Sequence, residues 1–179
     1  MDDDPDEITA LALRARRGDT AAATAFVRAT QADVWRLCAA LGSPQQADDL
    51  TQDTYARAFS SLHRFVGRSS ARTWLLSIAR RACADAVRSA VRSRREPPSW
   101  ASAGASVAPD HSGGVAMRML VSSLDPARRE AFVLTQVLGL SYAEAADVLS
   151  CPIGTIRSRV ARARNDLLDG LGDQAASLG

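Results

Sequence analysis

The sequence predicts an all-α protein of two small helical domains joined by a flexible linker. Apolar residues recur at helical spacing on both sides of a central stretch, and no run alternates as a half-buried strand would. Capping signals open several of those runs, at Ser43-Pro44, Asp125-Pro126 and Ser141 to Glu144. Between them, residues 96–116 break the periodicity with Pro97, Pro98, Gly104, Pro109, Gly113, Gly114 and four serines. The chain has 179 residues, 46% hydrophobic and 23% charged, enough to bury a core in one medium or two small domains. The expected organisation is a domain over 8–95, a linker over 96–116 and a domain over 117–171.

The first domain opens on an Ala-rich amphipathic helix, Ile8 to Arg17, broken at Gly18-Asp19. A second helix over Ala21 to Ala40 carries Phe26, Val27, Val34, Trp35 and Leu37. Ser43 as N-cap, Pro44 at the first helical position and Gln46 closing a capping box predict a third helix over Gln45–Leu62. It turns Leu50, Tyr55, Ala58 and Phe59 toward a core and shows Asp48, Asp49, Gln52 and Asp53 outside. After a loop from His63 to Ser70, a fourth helix runs through Arg95. Leu75, Ile78, Ala79, Ala82 and Ala86 share its inner face, while Trp74, Arg81, Arg88 and Arg92 share an outer flank. An aromatic ring among arginines suits single-stranded nucleic acid, because the ring stacks on a base while guanidinium groups hold phosphates. A solvated charged face fits that stripe equally well.

In the second domain, Asp125-Pro126 opens a helix to about Leu138, ended by Gly139-Leu140. The Ser141 to Glu144 capping box opens a short helix to Leu149. Ser150-Cys151-Pro152 makes a tight turn, Pro152 standing at the first position of a last helix to about Leu171. Two helices joined so closely read as a helix-turn-helix, with Ala146 at the close approach and Ser150 where Gly is usual. Ile153, Ile156, Val160, Ala163 and Leu167 form the packing face of the last helix. Gly154, Ser158, Ala161, Arg162 and Asn165 point away, with Thr155, Arg157 and Arg159 on the flanks. Four arginines and no acid lie between Ser150 and Asn165. Such a helix suits a DNA major groove, where arginine reads guanine.

Charge is distributed unevenly. The net is +2, yet residues 51–95 hold ten Arg and two acids (+8), and residues 150–165 hold four Arg and no acid (+4). Residues 1–50 hold five Arg and nine acids (−4). Two basic blocks predict two contacts with a polyanion.

Other classes find less support. The three cysteines, Cys38, Cys83 and Cys151, read as buried small apolar residues, and with only His63 and His111 there is no zinc constellation. No glycine-rich phosphate loop or credible nucleophile–base pair is present, so neither enzyme activity nor a cofactor or metal is expected. No apolar run nears the roughly 18 residues of a membrane span, and Met1 to Glu7 is acidic where a signal peptide is basic. A cytoplasmic location without membrane insertion is the expectation. A stand-alone helix-turn-helix regulator, with the first domain as sensor or dimerisation module, is the main rival reading.

Two stretches also resemble a known family. Ala145–Arg164, AADVLSCPIGTIRSRVARAR, and the preceding Leu124 to Phe132 are similar to region 4 of the extracytoplasmic-function (ECF) sigma factors of bacterial RNA polymerase, in the sigma-70 superfamily. Asp48 to Phe59, DDLTQDTYARAF, resembles the region 2 helix those factors present to polymerase, and Phe65 to Ala79 resembles their −10 segment. Within the family the chain is most similar to the sigma-C-like group. The resemblance implies an alternative sigma factor, with a region 2 helical bundle and a region 4 helix-turn-helix. Asp48, Asp49, Leu50, Gln52, Asp53 and Phe59 would meet core polymerase at the β′ clamp helices, with the β flap as a second contact. Phe65, Arg68, Ser69, Ser70, Arg72, Thr73 and Trp74 would hold −10 bases, and Arg81, Arg88 and Arg92 nearby backbone. Arg157, Ser158, Ala161 and Arg162 would meet base edges of the −35 element, and Thr155, Arg159 and Arg164 its phosphates. Many relatives are held by an anti-sigma partner, so such a protein joins core polymerase and promoter DNA as a candidate partner.

Overall fold

A computed structural model describes residues 6–93 and 119–177. Every regular element among them is helical, and the chain divides into two compact units, Met1–Glu96 and Pro97–Gly179. The linker expected over 96–116, and the boundaries at 95 and 117, lie outside the described residues.

The first unit holds α1 (Glu7–Arg16), α2 (Thr20–Leu41), α3 (Ala47–Ser61) and α4 (Ala71–Ser93). Asp6 caps α1 by accepting from the Thr9 N–H at 2.9 Å. The break at Gly18-Asp19 forms as expected: Gly18 takes φ +93°, and Asp19 caps α2 through the Ala22 N–H at 2.9 Å. That N–H, and next the Arg14 guanidinium, hold the Asp19 carboxyl below the usual carboxylate range. The capping box expected at Ser43 does not form. The Ser43 carbonyl accepts the Gln46 N–H at 3.0 Å, closing a 3-10 turn over Pro44–Gln46, so α3 starts only at Ala47. The Ser43 hydroxyl donates instead to Gln46 Oε1.

Helix α2 packs against α1, α3 and α4. Phe26, Val34, Leu37 and Cys38 from α2 are buried, as are Leu75, Leu76, Ala79 and Ala82 from α4. On α3, Ala47, Leu50, Thr54 and Ala58 face inward at helical spacing. Phe59, expected in that core, is exposed and stacks on Tyr55, because Ala58 takes the inward position beside it. Cys38 and Cys83 are buried and Cys151 half-buried, all as free thiols.

The second unit begins, among the described residues, with a helical stretch over 119–123, labelled α5. Next comes α6 (Pro126–Phe132), capped by Asp125, which accepts from the N–H groups of Ala127 and Arg128. The helix expected to Leu138 widens over Val133–Val137 into a π-helical turn, closed by the Leu138 N–H on the Val133 carbonyl at 3.0 Å. The capping box at the start of α7 (Tyr142–Leu149) is present: Glu144 N–H donates to Ser141 Oγ, and Ser141 N–H to Glu144 Oε2. Ala145, not Ala146, is fully buried on α7. Helix α8 (Ile153–Ser177) runs past the expected end at 171. Pro152 precedes it by one position, its carbonyl accepting the Thr155 N–H at 2.9 Å. Ile156, Val160, Ala163 and Leu167 are buried as expected. Ile153, expected on that face, is 42% exposed.

Ser150 ends α7 in the left-handed region, φ 50° and ψ 49°, and the capped N–H bonds Ala146 and Asp147 carbonyls. A side chain there costs about 1 kcal/mol that glycine avoids, offset in part by the greater freedom of an unfolded glycine. Ser150→Gly is therefore expected to stabilise this unit by roughly 0.5 kcal/mol. Chemical denaturation checks this; a lower midpoint would refute it.

Candidate nucleic-acid interface

Helix α8 carries four arginines between Ser150 and Asn165. Arg157 and Arg162 are exposed and have no hydrogen-bond or ion-pair partner among the described residues. Ser158 and Ala161 are exposed beside them, while Thr155 and Arg159 are half-buried. Ser158 Oγ donates to the Thr155 carbonyl at 3.0 Å, a local bond that leaves the hydroxyl oxygen free to accept. Arg164 is exposed but donates to Gln136 Oε1 at 2.7 Å, and Arg159 lies 3.9 Å from Cys151 Sγ. An ion pair of Arg128 with Asp166 at 2.6 Å ties α6 to α8 just beyond the basic stretch. Free guanidinium forks at Arg157 and Arg162 have the bidentate geometry that guanine O6 and N7 accept.

The candidate −10 segment, residues 65–74, holds both exposed and packed side chains. Val66, Gly67 and Arg68 are exposed, with Ser69 half-buried. Phe65 is buried, its ring 4.8 Å from that of half-buried Trp74. Thr73 is also buried, in a hydroxyl pair with Ser70 at 2.9 Å. Ser70 caps α4, accepting the Thr73 N–H at 3.1 Å. Arg72 donates twice to Asp33 Oδ2 on α2, at 2.8 and 2.6 Å. The sequence grouped Phe65, Ser70, Arg72 and Thr73 with the DNA-facing residues. In the structure Phe65 and Thr73 are buried, while Ser70 and Arg72 are half-buried, the one capping α4 and the other paired with Asp33. Arg81, Arg88 and Arg92 are exposed on the outer flank of α4, with Arg88 paired to Asp85. Arg57 also reaches Asp85, at 2.6 Å, and is the first cause of a carboxyl pKa held below the ordinary range.

Helix α3 carries the acidic face. Asp48 and Asp49 are exposed, as is Gln52. Asp53 pairs with Arg57 at 2.9 Å. Leu50, grouped with these residues from its place in the motif, points the other way and is buried, since it falls on the Ala47–Thr54–Ala58 stripe. The sequence reading missed Trp35 as part of this face. It lies on α2, 43% exposed, and its indole N–H donates to Asp48 Oδ1 at 2.9 Å. No periodicity marks a residue that reaches a face from another helix.

Among the described residues, no group of three or more His, Cys, Asp or Glu could hold a metal, and no helix is long and apolar enough to cross a membrane.

Comparisons with known proteins cover both units. The model for sigma-70 region 2 matches residues 26–93, and that for sigma-70 region 4 matches residues 114–167. The chain is 51% identical over 170 residues to the ECF RNA polymerase sigma factor SigC of Mycobacterium tuberculosis, covering 92% of this chain and 91% of that one. It is 30% identical over 173 residues to the ECF RNA polymerase sigma-E factor of Escherichia coli, covering 86% and 88%. Among solved structures it is similar to the sigma factor RpoE in complex with the anti-sigma factor NepR from Bartonella quintana, with TM-score 0.70 and 29% identity over 82% of this chain and 94% of that one. It is also similar to CnrH in complex with the cytosolic domain of CnrY, with TM-score 0.74 and 25% identity over 94% and 99%. Region 2, with α3 and α4, thus precedes region 4, with the helix-turn-helix, and the chain belongs to the ECF family of sigma factors, the alternative sigma factors of transcription initiation.

Proposed function

We propose that this sigma factor divides promoter recognition between its two units and docks on core polymerase through α3. The observation that carries the reading is the contrast of charge between faces. Asp48, Asp49 and Asp53 are on the outside of α3, while Arg81, Arg88 and Arg92 line α4 and Arg157 and Arg162 stand free on α8. Acidic side chains suit a basic protein surface, here the β′ clamp helices, with Gln52, Phe59 and Trp35 adding contact area. The β flap is the second polymerase contact. Arginine faces suit DNA.

On this reading Arg157, Ser158, Ala161 and Arg162 meet −35 base edges. Ala161 offers only an apolar or shape contact, so direct reading rests on the arginines. Thr155, Arg159 and Arg164 hold phosphates. Arg68 and Ser69, with Trp74 behind them, meet −10 bases of the non-template strand, and Arg81, Arg88 and Arg92 hold adjacent backbone. Bases captured outside the duplex favour the open strand, offsetting the few kcal/mol that each unstacked step costs. The chain itself performs no covalent step. An anti-sigma protein of the kind bound to RpoE in the Bartonella complex would act by covering the polymerase-facing surfaces.

Run-off transcription with core polymerase on a genomic library, with and without the protein, tests this. Protein-dependent starts sharing two upstream boxes at fixed spacing are expected. Polymerase-independent binding to a palindromic site, without new starts, would sink it. The docking face has its own test. Asp48→Asn with Asp49→Asn keeps size and an acceptor for the Trp35 indole while removing charge. Affinity for core is expected to fall by about 1.5–3 kcal/mol, the worth of a charge-assisted hydrogen bond. Titration of labelled core measures it, and unchanged affinity refutes the docking face.

A further inference from the structure

We propose that α1 positions the −10 loop, with Thr9 and Arg16 as positioning residues for base discrimination. The inference deepens the reading that this loop holds −10 bases. Helix α1 lies outside the residues matched to sigma-70 region 2, which begin at 26. Its sequence reads as an ordinary amphipathic helix. Yet Thr9, Leu13 and Arg16, spaced by four and three, share one face, and that face follows the loop from end to end.

At the near end, Arg16 Nη1 donates to the Phe65 carbonyl at 2.9 Å. In the middle, Gly67 takes φ +76°, and a β-carbon there would stand 3.7 Å from Leu13 Cδ1. At the far end, buried Thr9 Oγ1 accepts the Ala71 N–H at 2.8 Å, a bond between residues 62 positions apart. The same hydroxyl donates to Asp6 Oδ2 at 2.7 Å, which fixes the direction in which it accepts. Ala71 is the first residue of α4, so Thr9 supplies an acceptor to a backbone N–H that the helix itself leaves without one.

The stretch Val66 to Ser69 is therefore stapled at both ends, while the Val66 and Arg68 side chains stay exposed and Ser69 half-buried. A loop ordered before a base arrives has less conformational freedom to lose on capture. Loss of either staple leaves the same side chains present but unordered, so base preference declines while other contacts survive. Thr9 and Arg16 touch no DNA in this account; they act through the loop.

The test uses holoenzyme assembled from core polymerase and the full chain. The probe is the single-stranded non-template −10 oligonucleotide of a promoter found by run-off, beside versions with each base replaced. Arg16→Ala removes an exposed side chain and does not threaten the fold. Thr9→Val keeps shape and loses the hydroxyl, and Thr9→Ser restores it. Arg16→Ala and Thr9→Val are each expected to weaken cognate binding roughly three- to tenfold, the worth of one hydrogen bond. They should weaken replaced-base binding less, at unchanged core affinity, with Thr9→Ser close to the starting protein. Equal loss on cognate and replaced oligonucleotides, with a lowered melting temperature, would reduce α1 to a purely structural role and overturn the inference. So would variants that keep the full base preference. If the unaltered holoenzyme shows no base preference, the reading of the loop fails first and the inference falls with it.

Discussion

Arg157→Ala combined with Arg162→Ala is expected to abolish preference for the cognate −35 element. Each bidentate arginine–guanine contact discriminates by about 1–3 kcal/mol. The two residues lie on the exposed side of α8 and share no intramolecular partner, so their effects should add to roughly 2–6 kcal/mol. Neither side chain is packed, so the fold should change by no more than about 0.5 kcal/mol. Promoter binding by holoenzyme, measured on cognate and scrambled −35 sequences, separates two roles. A loss confined to the cognate sequence marks base reading. An equal loss on both sequences would make the arginines phosphate contacts and refute the assignment. Arg164 is the internal control. It already donates to Gln136, so it is a constrained group at the edge of the surface, and its removal should weaken both sequences alike.

The architecture was legible because its signals are local. Asp125, Ser141 and Glu144 cap helices in the structure as their spacing requires, and the buried stripe Ile156–Val160–Ala163–Leu167 follows from period alone. Ser43 shows the limit of that logic. Its spacing to Gln46 matches a capping box, but a backbone 3-10 turn takes the same N–H first. The site was less legible than the fold. A motif places residues in a neighbourhood without saying which way each one points. Leu50 and Thr73 belong to the segments that the motifs single out, yet helical phase turns them inward. Arg72 was grouped with the residues that would hold −10 bases, and nothing in its motif shows its partner Asp33, 39 positions away on another helix. Trp35 beside Asp48 and Thr9 beneath Ala71 are likewise tertiary pairs. Such pairs carry no periodic signal, so only the packed helices reveal them.

Ile156→Ala is expected to have the largest effect on stability, and its effect should be confined to one unit. Ile156 is fully buried on α8, where α6 and α7 pack. Truncating a buried isoleucine costs about 2–5 kcal/mol, from lost transfer energy plus the cavity left behind. A single small core rarely supplies more than about 3–5 kcal/mol in total. The substitution therefore removes most of the stability available to the α6–α8 packing, whereas Ile156→Val should cost only about 0.5–1.5 kcal/mol. Hydrogen exchange on the full chain reads both units at once. Amides of α6, α7 and α8 should lose protection in the alanine variant, while those of α2 and α4 keep theirs. The valine variant should stay close to the starting protein. Protection lost equally in α2 would mean that the two units fold as one, contrary to their separate cores. Core affinity is the functional readout. It should survive to the extent that α3 supplies docking, while promoter selection fails because the helix presenting Arg157 and Arg162 is no longer held. This failure resembles that of the double arginine variant in transcription but differs from it in exchange. Loss of reading and loss of the framework that holds the readers can thus be told apart in the same assays.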